Sequence, residues 1–336
     1  MNNALVIGGR KGFGRFGVNI LMGLTEKDGV KPFDNVYVSS TSLDGISEIN
    51  SRLNPQLKGV KISPYFYGNP ANEEIQKIIN ENEISFVYDS SQDPTIGDTI
   101  HLVHAMSVLG LGVKFMSEKP FANTNLFGSD CFFRNFYFEY TKNRKNLKQL
   151  ISMELPLASL SKSIEESCLL DDAKDVQFFW NTKKPNSTKR KISIIDNLLL
   201  HPLSLLSDEE LFLSSQVLYN EDSAKIGFAN KSGLNFSVSL GYGSNFRGMQ
   251  INGKYFAVRD FKENGELYCS MFELPVKILE NAMAYEGPGK QILPSVANPL
   301  KQSLVRAIQG KPIIDSDRAV SLQYILNETV QMLNYE

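Results

Sequence analysis

Compact apolar runs alternate with amphipathic stretches through the first third of the chain. Ala4-Leu-Val-Ile7 is apolar throughout and stops at a cluster of glycines. Val18-Asn-Ile-Leu-Met-Gly-Leu24 beyond that cluster carries a helical pattern. Further strands are predicted at residues 35–42, 60–67 and 84–88. Helices are predicted at 72–82 and from about 97 to 110. Another short apolar run, starting after Gly112, ends in Ser117-Glu-Lys-Pro120. Unbroken apolar runs of this length are what strands covered on both faces require. Strands that alternate with helices imply a parallel sheet with right-handed crossovers.

The pattern then changes. Residues 121–148 read as mostly helical, with an aromatic cluster from Phe132 to Tyr140 that suits a core. The run 150–156 reads as the strand opening a second domain. From Leu211 to Phe272 short strands are punctuated by turn signals. Asn252-Gly253 and Asn264-Gly265 are Asn-Gly pairs of the kind that favour tight type I′ hairpins. Asn298-Pro299 caps a helix running to about Gln309, and Asp315 or Ser316 caps a last helix with apolar Val320, Leu322, Ile325, Leu326 and Leu333. The expected fold class is α/β. An N-terminal Rossmann-type parallel-sheet domain (1–122) precedes a C-terminal α+β domain (123–336) with a mostly antiparallel, open sheet. The helices of 298–336 are expected to pack back on the first domain.

Composition narrows the function classes without naming one. The chain has 336 residues, 42% hydrophobic and 21% charged, which fits a globular protein of about two domains. A net charge of −2 gives no reason to expect nucleic acid as a partner. No apolar run approaches the ~20 residues of a membrane span, and the first residues do not read as a signal peptide. Cys131, Cys168 and Cys269 are odd in number and widely spaced. They argue against a disulfide framework and against a zinc site, and suggest a reducing, cytoplasmic setting. His101, His104 and His201 are the three histidines.

The chemistry begins at the first turn. Strand, glycine-rich turn and helix is the setting a dinucleotide fingerprint needs, because glycines let the backbone approach a pyrophosphate at the helix N-terminus. Gly12, Gly14 and Gly17 fit G-x-G-x-x-G, while Gly8, Gly12 and Gly14 fit a longer turn. The strand end favours a loop starting at Gly8 or Gly9. Gly8, Gly9, Arg10, Lys11, Gly12, Phe13 and Gly14 are therefore the first cofactor-binding candidates. The second strand ends in Ser39-Ser40-Thr41 rather than in a carboxylate that would hold a ribose 2′-hydroxyl. Hydroxyls here, with Arg10 and Lys11, favour NADP(H). NAD(H) remains the alternative, with Asp44 on the ribose. Ser90 and Ser91, past the fourth strand, join the cofactor candidates by their place at a strand end. Glu118-Lys119-Pro120 closes the fifth strand. The proline disfavours a helical Lys119 and keeps it extended, where its amine can reach a substrate.

With these residues in hand, the chain resembles the Gfo/Idh/MocA family of NAD(P)-dependent oxidoreductases. The resemblance rests on the glycine turn, a helix containing His101 and Ala105, Gly112 eleven residues after His101, and Glu118-Lys119-Pro120. Its specific part is 101–122. It implies that Lys119 lies near nicotinamide and substrate as an acid/base or electrostatic group, that Glu118 and His101 serve the cofactor side, and that the Lys119–Pro120 bond is cis. The family's second signature, Asp-x-x-x-His, maps onto Ile194-Ile-Asp-Asn-Leu-Leu-Leu-His201 imperfectly. Four residues before His201 stands Asn197, not Asp196. One helical turn apart, Asn197 and His201 share a face, and Asp196 points about 100° away. Asn can orient a substrate but cannot act as a base. Lys119 and His201 are thus the catalytic candidates, and Lys119, Asp196, Asn197 and His201 the substrate-binding ones. The basic run from Lys183 to Lys191 is either a solvated loop or a grip on an anionic substrate.

The expected activity is hydride transfer between nicotinamide and a hydroxyl, keto or imine carbon of a sugar, cyclitol or sugar-nucleotide-like molecule. A non-catalytic dinucleotide or sugar sensor is the alternative. The resemblance also implies self-association, as dimer or tetramer, through the open sheet.

Overall fold

The computed structural model describes residues 1–9, 13–52, 54–63, 71–91, 101–122, 138–142, 144–145, 147, 150–183, 194–206, 211–214, 217–220, 222–231, 233–243, 246–275 and 289–333. By packing, the chain divides into two compact units. One comprises 1–154 with 303–320, the other 155–302 with 321–336. Among the described residues, no helix is long and apolar enough to cross a membrane.

The first unit is built on a parallel sheet of β1 (Asn3–Ile7), β2 (Asn35–Ser40), β3 (Leu57–Lys61), β4 (Ile84–Asp89), β5 (Lys114–Ser117) and β6 (Ile151–Met153). Their order is β3-β2-β1-β4-β5-β6. Helices α1 (Phe13–Met22), α2 (Leu43–Asn50), α3 (Ala71–Glu81) and α4 (His101–Val108) lie between successive strands in the sequence. The central strands are buried almost throughout: Ala4, Leu5, Val6, Phe86, Val87 and Tyr88 are at most 1% exposed. This is why they read as unbroken apolar runs rather than as alternating ones. The order reverses between β1 and β4. At such a switch point the two loops leave a crevice at the carboxyl ends of the strands.

Two expectations need correction. The third strand lies at Leu57–Lys61, ahead of the predicted 60–67; residues 64–70 lie outside the described set. The run at 151–153 does not open the second sheet. It is β6, paired in parallel with β5 through Phe115↔Ile151 and Ser117↔Met153. A strand of three residues, Ile151-Ser-Met153, carries no information about which sheet it joins, so its partner is decided only by packing.

The second unit holds a mixed, mostly antiparallel sheet, in the order β15-β14-β13-β12-β7-β11-β10-β8. These are β7 (Val176–Thr182), β8 (Leu211–Leu213), β10 (Ser223–Asn230), β11 (Asn235–Tyr242), β12 (Arg247–Ile251), β13 (Lys254–Glu263), β14 (Glu266–Glu273) and β15 (Lys290–Gln291), with β9 (Leu218–Asn220) pairing β10 outside that order. Asn252-Gly253 and Asn264-Gly265 make the β12–β13 and β13–β14 hairpins, with all four residues at positive φ, as type I′ turns demand. In the middle of the sheet β7 and β11 run parallel. The C-terminal helices are Pro299–Ile308 and Ser316–Leu333. Asp315 caps the second of them, its side chain accepting from Arg318 N at 3.0 Å.

Candidate active site at the carboxyl edge of the parallel sheet

The glycine turn leaves β1 at Gly8 and enters α1 at Phe13. Gly8 has φ +80°, and a Cβ on it would lie 2.7 Å from Ser91 Cα. On Gly14 a Cβ would meet Ser90 Oγ at 2.1 Å, and on Gly17 it would meet the Tyr88 ring at 2.4 Å. Any larger residue would drive α1 off β4. The glycines thus supply a left-handed turn and a close helix–strand approach, two of the uses a dinucleotide fingerprint makes of them. Ser90 N donates to Ile7 O at 2.9 Å, which ties the end of β4 to the end of β1 across the switch point. Ser39 Oγ accepts from Gly8 N at 3.3 Å and binds the end of β2 to the same turn. Ser39 and Ser40 are buried and Thr41 is exposed. Arg10, Lys11 and Gly12 lie outside the described residues. The described glycines, Gly8, Gly9 and Gly14, fit a dinucleotide turn at the switch point.

Beneath the cradle lies a buried acid that sequence reasoning missed. Asp89, the last residue of β4, is wholly buried. Its Oδ1 accepts from Ser91 N at 2.9 Å and Ser91 Oγ at 2.6 Å. Its Oδ2 lies 2.8 Å from His104 Nδ1 and 3.1 Å from His101 Nδ1. The His104 contact is a hydrogen bond, whereas the His101 contact lies outside hydrogen-bond geometry. Burial alone would raise the Asp89 carboxyl, but pairing with His104 and His101 outweighs it and holds the group well below the usual carboxylate range. His101 is itself buried and faces Asp89. Asp89 therefore fixes the Ser90–Ser91 loop against the glycine turn.

On the opposite face of the same strand ends stands a second cluster. Tyr88 and Met116 pair across β4 and β5, as do Asp89 and Ser117. Two residues past Tyr88 in register come Glu118 after β5 and Glu154 after β6. Tyr88 Oη lies 2.5 Å from Glu154 Oε2 and 3.3 Å from Glu118 Oε1. Tyr88 and Glu154 are buried and Glu118 is half-buried. Burial first, then the charges of Glu154 and Asp89, push the Glu118 carboxyl up to about 9. Burial raises Glu154 to about 7, against the opposing pull of the Tyr88 hydrogen bond and Lys119. Lys119 is half-buried, follows Glu118 directly and enters Pro120 through a cis bond. Glu154 could have been suspected from the sequence, since like Glu118 it ends an apolar run. Its assignment to the second domain hid it.

In the second unit the helix carrying Asp196 is interrupted, running Ile194–Leu198 and then Leu200–Leu203. Pro202 has no N–H to continue the ladder. Asp196 is buried, whereas Asn197 and His201 are both half-buried, in keeping with one shared face. Asn197 Nδ2 donates to Tyr242 Oη at 3.3 Å. The His201 ring stacks on Trp180, with centroids 5.6 Å apart and planes at 13°. Of the basic run only Lys183 is described, and it is exposed.

No family model matches the chain, and no curated protein matches it. Solved structures do. The chain has the two-part fold of the Gfo/Idh/MocA-type oxidoreductases. A UDP-N-acetylglucosamine 3-dehydrogenase from Acidithiobacillus ferrooxidans is 14% identical over 99% of this chain and 97% of its own, with a TM-score of 0.57. A 3-ketoreductase from Actinomadura kijaniata, in complex with TDP-benzene and NADP, is 10% identical over 98% and 96%, TM-score 0.61. A myo-inositol dehydrogenase from Lactobacillus casei, in complex with NAD(H) and myo-inositol, is 14% identical over 98% and 95%, TM-score 0.59. At these identities the likeness is one of fold.

Proposed function

We propose that the protein is an NAD(P)-dependent oxidoreductase acting on a hydroxyl or keto carbon of a sugar, cyclitol or sugar-nucleotide-like molecule. The observation that carries this reading is the placement of Lys119 at the carboxyl edge of the sheet, after β5, the strand beside β4, whose end packs against the glycine turn that follows β1. When bound, the nicotinamide supplies or accepts the hydride. Gly8, Gly9 and Gly14 would hold the dinucleotide, with Ser90 and Ser91 behind them. The absence of a carboxylate among Ser39, Ser40 and Thr41 supports NADP(H), with NAD(H) as the alternative. Both cofactors are named among the structural neighbours.

Lys119 handles the proton. Among the described residues, the carboxyls of Glu118 and Glu154 interact with it, and opposite charge favours the ammonium form. It therefore acts as proton donor and polarising cation in the direction of reduction, rather than as a base. Asn197 and His201 are substrate-binding candidates by their own hydrogen-bonding groups. The chain self-associates through the open face of the second sheet, which sedimentation would test.

The decisive experiment is Lys119→Met, assayed with NADPH and a panel of ketosugars. Turnover is expected to fall roughly 10²–10⁴-fold, with NADPH affinity by nicotinamide fluorescence nearly unchanged. Full activity in that variant removes Lys119 from the mechanism. A sensor reading is favoured by one observation, Asn197 in the place of an acid. Tight NADPH binding with no turnover of any substrate, in native protein and variant alike, would establish it.

A further inference from the structure

The hydroxyl of Tyr88 has one proton and two carboxyl neighbours. It reaches Glu154 Oε2 at 2.5 Å and Glu118 Oε1 at 3.3 Å. One O–H cannot donate to both. If both acids were ionised, an oxygen of Glu118 would face the Tyr88 oxygen with no hydrogen between them, next to a second buried anion. The arrangement is satisfied when Tyr88 donates to Glu154 and Glu118 brings its own proton to Tyr88 Oη. Like charges sharing a buried site force the same outcome.

Among the described residues there are few other ways to balance the charge. On the Tyr88 face, α1 packs through Gly17, and Arg15, its one ionisable residue, is exposed. On the other face Asp89 adds a further negative charge toward Glu118. Among the described residues, Lys119 is the cation that acts on both Glu118 and Glu154.

We propose that Glu154, through Tyr88, is a positioning residue of the reaction centre: the three side chains hold one proton on the Glu118–Glu154 pair, and this store sets the charge that Lys119 feels. With the proton in place Lys119 sits beside one anion. When it leaves, Lys119 sits beside two and holds its own proton more tightly. The significance for catalysis rests on the role proposed above for Lys119. The proton store itself does not, and both readouts below dispense with turnover, so a failure of the oxidoreductase reading would be seen separately.

The first readout is infrared pH-difference spectroscopy of the whole protein. The carbonyl stretch of a protonated carboxylic acid is expected to persist at pH 7 in native protein and to weaken in Glu118→Gln. In Glu154→Gln it should titrate away at lower pH, because the neighbouring anion that opposes ionisation is gone. Tyr88→Phe should move it too, which guards against a folding defect peculiar to one variant. The second readout is the NMR titration of Lys119 in reductively methylated protein, with Lys119→Arg identifying its signal. In Glu154→Gln that titration should move down by roughly one pH unit. A native protein with no protonated-acid band at pH 7, or a Lys119 titration identical in native and Glu154→Gln protein, overturns the proposal.

Discussion

The carboxyl edge of the parallel sheet and the broken helix at 194–203 both present polar side chains, but they satisfy them in opposite ways. At the sheet edge, ionisable groups are buried against one another. Asp89 is met by His104 and His101, Tyr88 by Glu154 and Glu118. On the helix, the contacts of Asn197 and His201 given above are neutral or aromatic. Asn197 donates to Tyr242 and His201 lies flat on Trp180. Charges removed from water take their protonation state from their neighbours, so the first region is sensitive to pH and to the loss of any partner. Neutral hydrogen bonds and ring stacking fix direction without that dependence. The sheet edge is thus governed by charge, and this face of the helix by shape and hydrogen-bonding direction.

The contrast can be broken most directly at Asp89. Asp89→Ala removes the acceptor shared by Ser91 and His104 and leaves buried polar groups without a partner. A loss of about 3–5 kcal/mol is expected from urea unfolding of the first unit. A loss below about 1 kcal/mol would mean that this edge is no more interdependent than the helix.

Next in size comes a pH effect of opposite sign to that of a salt-bridged acid. Glu154 and Glu118 are raised from 4.5 to about 7 and about 9. Between these values the folded protein holds protons that the unfolded chain releases. Their contribution is full below pH 4.5 and is lost as pH rises through about 7 and then about 9. For Glu154 it is on the order of 3 kcal/mol. Urea titrations across this range should show stability falling with pH, and Glu154→Gln should flatten the slope. An equally steep slope in the variant would place the proton elsewhere.

The smallest effect is expected on the helix. Tyr242→Phe removes the acceptor for Asn197 and should cost about 1 kcal/mol at every pH tested. A pH-dependent cost there would show that charge reaches the helix after all.

Much of the architecture was legible because its causes are local. The glycine turn, the Asn-Gly hairpins and the cap at Asp315 each need a particular residue at a particular backbone angle or helix end. The unbroken apolar runs announced buried strands, and Glu118-Lys119-Pro120 could be placed at a strand end from its own neighbours. Asn197 and His201 could be put on one face by helical spacing alone. What stayed hidden depends on partners distant in the sequence. Glu154 meets Tyr88 across 66 residues, after β6 returns to the first sheet. β7 runs parallel to β11, and no local pattern declares that pairing.

The sequence by itself therefore determined the elements, the turn chemistry and the position of the lysine, because backbone preference and side-chain periodicity act over a few residues. Only the tertiary structure decided what surrounds that lysine. Burial, register and the meeting of three strand ends made Glu118, Glu154 and Tyr88 one coupled group, and coupling of this kind exists only once water has been excluded from between them.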